Sequence, residues 1–418
     1  MNKKMPSFLN YDNSKSALSA LISILFGLAV GCIIILAVSF FDSDFTLKSA
    51  VEGIKLLLFG VFSKGRDAAG ELTFGFSASN LGNLLFRATP VIMTGLSVAL
   101  SFRSGLFNIG ASGQYLMGTA AALTVALSLD TGSIPPLLVW LLAFISSLAA
   151  GALWGLIPGI LRAYFNINEV LSCIMTNWIA ANLVTWIFEN SPLRNSVQSG
   201  KIGYIMPTSL NGVSTPLIGL DRLFPSSQIN GGILIAVIFA VAAYILLTKT
   251  VKGFEMRICG SNSHAAHYAG IKQKRMILFA FALAGALSGA GAALYYLSGH
   301  TEFFWSTYQT LPAEGLNGIP VALLASNNPL AVIFTSFFMS FLGVSGQQLK
   351  TLTAFNEFTT DIVVSLIVYL SAFSLVIKQY LSDRRGRMQL IRAKGTGGKE
   401  ETVPLYQGKL NEESEENK

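Results

Sequence analysis

Residues 102–118 read FRSGLFNIGASGQYLMG and set Asn108, Ser112 and Gln114 among Gly105, Gly110 and Gly113. Uncharged amides and a hydroxyl break no bonds by themselves. They suit the binding of a neutral polar solute. The glycines loosen a helix and free backbone groups, and irregular backbone at membrane depth is tolerated only where it is buried or lines a cavity. The residue types for bond-breaking chemistry are missing. The chain has no G-x-x-x-x-G-K-[ST] phosphate loop, no D-D-x-x-D and no H-E-x-x-H cluster. His264 and His267 stand three apart in a basic segment without partner ligands and read as surface residues. Cys32, Cys173 and Cys259 are scattered and give neither a disulfide framework nor a metal site. Ionisable groups that secondary carriers keep inside their spans reduce to Arg87 and Asp361, both near expected helix ends.

The elements that must position these residues are membrane helices. Of 418 residues, 52% are hydrophobic and 12% charged, about half the charge of a soluble domain; the mean hydropathy is +0.56. Residues 17–41, 104–129, 133–161, 170–188, 230–248 and 276–299 contain no Asp, Glu, Lys or Arg. A span needs about 20 apolar residues, so each block is long enough or nearly so. The first is too long for a cleaved signal core and predicts an uncleaved anchor helix. The block 315–349 is too long for one span, and Asn327-Asn328-Pro329 supplies a break. It predicts a short helix ending near Ala325 and a span at 329–345. Spans near 17–41, 81–102, 105–129, 134–161, 169–189, 230–248, 276–298 and 358–378 complete a count of ten.

Basic residues set the orientation. Lys3, Lys4 and Lys15, the segment 249–275 with six Lys or Arg against Glu255, and Arg384, Arg385, Arg387 and Arg392 should all face the cytoplasm. An even count satisfies this, ten or eight, with both termini inside. The expected fold is therefore an all-α polytopic membrane protein. Residues 1–80 hold the anchor helix and an extracytoplasmic segment, 81–378 the core, and 379–418 a cytoplasmic tail expected to be disordered. Residues 42–80 and 190–229 lie outside, the second irregular or in short helices because of its four prolines. The net charge of +7 serves topology and not nucleic acid. Gly151, Gly155 and Gly159, and Gly285 and Gly289, recur at four-residue spacing, which lets helix backbones approach closely in lipid.

Four stretches in order carry a family resemblance: FRSGLFNIGASGQYLMG, NEVLSCIMTNWIA at 168–180, GFEMRICGSNSHAAHYAGI at 253–271 and EGLNGIPVALLASNNP at 314–329. Together they resemble the permeases of ATP-binding-cassette importers in the branched-chain amino acid, ribose and nucleoside group, over about residues 80–378. Ala325 and Ser326 stand where many members have glycine and a basic residue, and Ser112 where members often have Glu. The long N-terminal region and the NEV…MTNWIA pattern look most like the nucleoside-uptake branch; a sugar or a branched-chain amino acid is the alternative solute. The resemblance implies a transport subunit with no ATPase site or cofactor of its own, set in a bacterial plasma membrane. Its partners would be a cytoplasmic ATPase that uses the ATP, a second permease chain of different sequence and an extracytoplasmic substrate-binding lipoprotein. It also implies that 253–271 is the ATPase-coupling segment, with Gly253, Phe254, Glu255, Arg257, Gly260, Asn262, Ala265, Ala266 and Gly270 as its residues. Gly253 and Gly260 would permit turns around 254–259, and Asn262 would cap a short helix ended by Gly270. Along the substrate path, Phe107 and Trp178 could stack on a planar base, and Asn108, Gln114 and Asn177 could hydrogen-bond a ribose or a base edge. Hydrogen bonding between helices accounts for the same residues equally well. An ion-coupled carrier and a membrane-embedded enzyme are the readings from other classes.

Overall fold

The computed structural model describes residues 11–41, 47–195, 200–201, 203–305, 311–353, 355, 362, 365–366 and 369–370. Helices α1 (Tyr11–Phe41) and α2 (Leu47–Phe59) lead into a hairpin of β1 (Ser63–Arg66) and β2 (Leu72–Phe74). Then follow α3 (Ala78–Arg103), α4 (Ala111–Ser128), α5 (Pro136–Phe165), α6 (Glu169–Glu189), α7 (Leu220–Leu223) and α8 (Gly232–Lys249). After these come α9 (Val251–Ser261), α10 (Ser263–Tyr268), α11 (Gln273–Tyr296), α12 (Ala313–Leu324) and α13 (Pro329–Leu352). Among the described residues six helices are long and apolar enough to cross a membrane: α3, α5, α6, α8, α11 and α13. The chain is an all-α membrane protein. The expected span at 358–378 and the tail after it lie almost wholly outside the described residues.

Several elements start or stop where local chemistry dictates. The expected span at 105–129 begins only at Ala111, because residues 104–110 are not helical and Gly105 has φ +71°. Helix α12 stops at Leu324 and Ser326 and Asn327 turn left-handed (φ +49° and +57°). Asn328 then accepts the N–H of Leu330 at 3.0 Å and caps α13, which runs on to Leu352, past the expected 345. Residues 47–74, expected as part of an extracytoplasmic segment, form α2 and the hairpin. Helix α2 buries Ala50, Gly53, Leu56 and Leu57, packing with Ile35, Leu349 and Phe355. Arg66 ties the hairpin to Glu52 (2.6 Å) and to the carbonyl of Leu352 (2.7 Å).

The centre is a three-helix contact of α4, α5 and α11. A β-carbon on Gly151 would strike the carbonyl of Gly285, and one on Gly285 would strike the carbonyl of Gly151. Gly118 lies against Gly289 in the same way. The Ser147 hydroxyl sits between the carbonyls of Gly289 (2.6 Å) and Gly118 (2.9 Å) and donates to one at a time. Lipid gives helices no hydrophobic reason to associate, so van der Waals contact and interhelical hydrogen bonds must hold them. Glycines at these positions give backbone-to-backbone contact. Replacing Gly285 by Leu is expected to destabilise the detergent-solubilised protein by about 3 kcal/mol or more through overpacking. Thermal unfolding followed by size-exclusion chromatography measures this, and an unchanged midpoint would remove the contact from its central role.

Candidate functional site

One end of the bundle gathers three of the sequence motifs. Helix α8 ends at Lys249, and Thr250 caps α9 by accepting the N–H of Gly253 at 3.1 Å. Asn262 ends α9 and caps α10, accepting the N–H of Ala265 at 3.0 Å. Gly270, at φ +73°, closes α10, and the Ile271 N–H returns to the Ala266 carbonyl at 3.0 Å. The short helix expected at 262–270 is therefore present with its cap. Gly253 and Gly260 are not at turns, as the sequence suggested. Both lie inside α9, and the chain turns at Thr250 and Asn262 instead. Their smallness has another use. Gly253 abuts the carbonyl of Leu246, and Gly260 abuts Gly105 and the carbonyl of Arg103. The α3–α4 loop and α9 thus meet backbone to backbone, with no side chain between them.

The same end carries the α12–α13 break and the α5–α6 turn. Arg103 Nε donates to the Asn327 carbonyl at 3.0 Å. Lys274 lies 4.9 Å above the Tyr164 ring, and Arg162 pairs with Glu169 at 3.2 Å. Met256 and Ala266 are fully buried and anchor α9 and α10. Their outer faces carry two exposed aromatics, Phe254 (53%) and Tyr268 (91%), among polar residues. Glu255 is held by Lys252 at 2.9 Å, while the buried Arg257 Nε has no partner among the described residues. His264 and His267 are exposed on α10. Burial pushes the Cys259 thiol above its ordinary pKa.

The residues expected along a substrate path fall into two groups. Asn108, Gln114 and Asn177 come together in the interior. Asn108 and Gln114 exchange side-chain hydrogen bonds of 3.1 and 3.3 Å. Asn108 Oδ1 also accepts the Gly110 N–H at 3.0 Å. Asn177 ties α6 to the start of α4, accepting from Gly113 N at 2.8 Å and donating to the Ile109 carbonyl at 3.0 Å. All three amides are buried and bind one another or the freed backbone of 109–113. Phe107 is apart from them, its ring 5.0 Å from Phe102. Trp178 lies on an exposed apolar face of α6 with Met175 and Ile179.

A cavity of about 510 Å³ opens at the other end of the bundle, lined among others by Arg87, Lys201, Tyr204, Tyr295 and His300. Arg87, expected near a helix end, lies in the third turn of α3 and donates to Gln347 Oε1 at 2.8 Å. Lys201 pairs with Glu302 at 2.7 Å across the rim. Tyr295 stacks on Phe86 at 5.4 Å and meets Tyr296 edge-on at 5.1 Å. Glu314 stands in the first turn of α12, its carbonyl accepting from Thr94 Oγ1 on α3 at 2.8 Å. The sequence reading missed Glu314 as an ionisable group in the interior. It stands one residue before the uncharged block 315–349, so a search of uncharged windows stops just short of it.

The geometry describes a helix bundle with an open, largely polar cavity at one end and a capped pair of short helices at the other. The family comparison agrees with that class. Residues 80–372 match the model of the branched-chain amino acid transport system permease component, and the chain belongs to this family. It is similar to the guanosine ABC transporter permease protein NupP of Bacillus subtilis, 32% identical over 86% of this chain and 93% of that protein. It is similar in the same degree, 32%, to the glucose ABC transporter permease protein TsgB13 of Haloferax volcanii, over 81% of this chain and 88% of that one. The nucleoside ABC transporter permease protein NupB of Lactococcus lactis is also 32% identical, over 88% of this chain and 94% of its own.

The Gly105–Gly260 contact makes a direct prediction. Gly260→Val puts carbon where Gly105 N and the Arg103 carbonyl now lie. Transport is expected to fall at least about tenfold while the protein still inserts and folds, since a displaced short helix at one end leaves the central contact intact. Uptake assays beside membrane abundance by immunoblot check this; full uptake would show that α9 need not touch the loop.

Proposed function

We propose that this chain is the permease subunit of an ABC importer and forms the translocation path for nucleosides, driven by a separate ATPase. The observation that carries the transport reading is the α9–α10 unit. It is capped at both starts, buried through Met256 and Ala266, exposes Phe254 and Tyr268 among polar residues, and touches the α3–α4 loop through Gly260. A push on such a unit is transmitted to the helices that line the path without slack from side chains. Gly253, Phe254, Glu255, Arg257, Gly260, Asn262, Ala265, Ala266 and Gly270 form the docking element in this proposal. ATP is used by the partner, and this chain needs no cofactor.

Two of the three relatives described above bear nucleoside or guanosine in their names, which supports nucleosides as the solute. The glucose permease is the observation that favours a sugar as second reading. The path in this reading runs from the cavity towards the Asn108–Gln114–Asn177 cluster; Phe107 and Trp178 lie apart from that cluster, Trp178 on the exposed face of α6. The chain crosses a bacterial plasma membrane ten times with both termini in the cytoplasm. Residues 1–80 serve as anchor and outer segment, 81–378 as permease core and 379–418 as tail. An extracytoplasmic lipoprotein delivers solute, and a second permease chain of different sequence completes the pore.

Labelled uridine, ribose and leucine presented to cells with and without this chain separate the substrates. ATP-dependent uridine uptake is expected, and uptake of ribose alone would replace the nucleoside reading. Uptake that survives ATP depletion but collapses with an uncoupler would instead indicate an ion-coupled carrier. Pull-down of the tagged chain is expected to recover an ATPase and a second permease. Orientation is read from Cys259 in a Cys32→Ser variant. A membrane-impermeant maleimide is expected to label inside-out vesicles and not right-side-out ones. Labelling should speed up as the pH rises, because the reactive form is the thiolate and burial holds this thiol protonated to higher pH.

A further inference from the structure

Helix α6 has two unlike faces. The inner one carries Asn177, whose amide is spent on the start of α4. The outer one carries Trp178, Asn182 and Trp186, all exposed and each about one turn from the next. Glutamates bound the helix at Glu169 and Glu189. Trp178 is nine residues from the first of these, about 14 Å along the axis, and so near the middle of a hydrocarbon core of about 30 Å. Asn182 is seven residues from the second, about 10 Å along the axis, and still within that core.

Neither residue suits lipid at that depth. Tryptophan collects at the membrane interfaces, where its N–H stays wet. Trp186 stands near such a boundary and Trp178 does not. On α5, Trp140 Nε1 donates to Thr215 Oγ1 at 3.1 Å and Trp154 Nε1 to the Thr176 carbonyl at 3.3 Å. Trp178 Nε1 has no acceptor among the described residues. Asn182 Nδ2 donates to the Trp178 carbonyl at 2.8 Å, and its Oδ1 accepts from no group among the described residues. Open polar groups are expensive in hydrocarbon. The neighbouring outward faces are different in kind. The exposed residues of α5 from Leu137 to Ile160, and of α8 from Leu234 to Ile245, are all aliphatic.

A water-filled path beside α6 removes both misfits, since polar side chains at membrane depth face a cavity and mark solute pathways. Trp178 is 52% exposed and its ring meets no other ring among the described residues, so an indole face is open to a planar base. The Asn182 amide keeps its acceptor and a second N–H free. A side-by-side acceptor and donor complement the adjacent N–H and C=O on the edge of uracil, guanine or hypoxanthine. Resting on the nucleoside reading above, we propose that this face of α6 lines the pore that the second permease chain completes, Trp178 stacking on the base of a passing nucleoside and Asn182 bonding to its edge.

The test uses the complete transporter in proteoliposomes. Cys32→Ser and Cys259→Ser remove the thiols that are not fully buried. In that background Asn182→Cys is compared with Ile238→Cys on the aliphatic face of α8, and a water-soluble maleimide is applied from both sides. The Asn182→Cys variant should label, because the reactive thiolate forms in contact with water, and uridine should slow its labelling about fivefold. The Ile238→Cys variant should stay unlabelled. ATP-driven uridine uptake, with the receptor saturated, should fall about tenfold in Trp178→Leu, the order expected for one lost base stack, while the second permease chain still copurifies. Trp178→Phe should recover most of it. An Asn182→Cys variant that labels no faster than Ile238→Cys overturns the inference, and so does full uptake by Trp178→Leu. If Trp178→Leu loses the second chain, the labelling decides: protection by uridine upholds the solute contact, and labelling that uridine does not slow overturns it. A wild-type protein that takes up no nucleoside overturns the nucleoside reading and the base contact with it, while labelling of Asn182→Cys would still uphold a water-filled face.

Discussion

The contact that everything else depends on is the backbone-to-backbone packing of α5 on α11, extended to α4. Gly151 and Gly285 face each other's carbonyls, Gly118 faces Gly289, and the Ser147 hydroxyl bridges the last pair. In water a helix bundle is gathered by burying apolar surface. In lipid the tails outside are as apolar as the residues within, so closeness itself must supply the attraction. With three helices locked this way, the other elements acquire fixed places. Helix α3 lies along α11, with Gly291 against Met93. Helix α12 fits between α3 and α4 through Gly318 and Gly315.

Movement, where the protein needs it, must then come from elements outside that core. Helices α9 and α10 meet this requirement. They are short, are bounded by caps, bury Met256 and Ala266 and meet the α3–α4 loop at Gly105 and Gly260. The break at 325–328 is a second such place, since Ser326 and Asn327 are left-handed and Arg103 holds the Asn327 carbonyl. The two places adjoin the same α3–α4 loop. Close contacts thus run from α9 through Arg103 to the break between α12 and α13.

Much of the fold was legible in the sequence, because lipid imposes simple rules. Uncharged runs gave α5, α6, α8 and α11 to within a few residues. Asn327-Asn328-Pro329 gave the break, since asparagine tolerates the left-handed region and the residue before proline avoids the helix. Asn262 gave the cap of α10. The errors had physical causes too. Gly253 and Gly260 were read as turn formers, but their lack of a side chain serves contact between segments far apart in sequence, which no local rule detects. Helix α2 was not read from the sequence, because it is too short and too mixed in charge to resemble a span; it packs on α1 and α13.

The interior shows the same division. That Asn108, Gln114 and Asn177 are polar groups within a membrane was plain from their positions. That Asn108 and Gln114 bond to each other, and Asn177 to the freed backbone of 109–113, was decided by the meeting of α4 with α6. Glu314 passed unnoticed because charge was judged along the chain, where it sits at the edge of an apolar block. By itself the sequence determined the membrane class, the long apolar helices α5, α6, α8 and α11 and the resemblance to the family, because hydrophobic length and motif order are local properties. Only the tertiary structure decided which polar groups bond to one another and which glycines meet across helices, because hydrogen bonds and close contacts depend on distance in space.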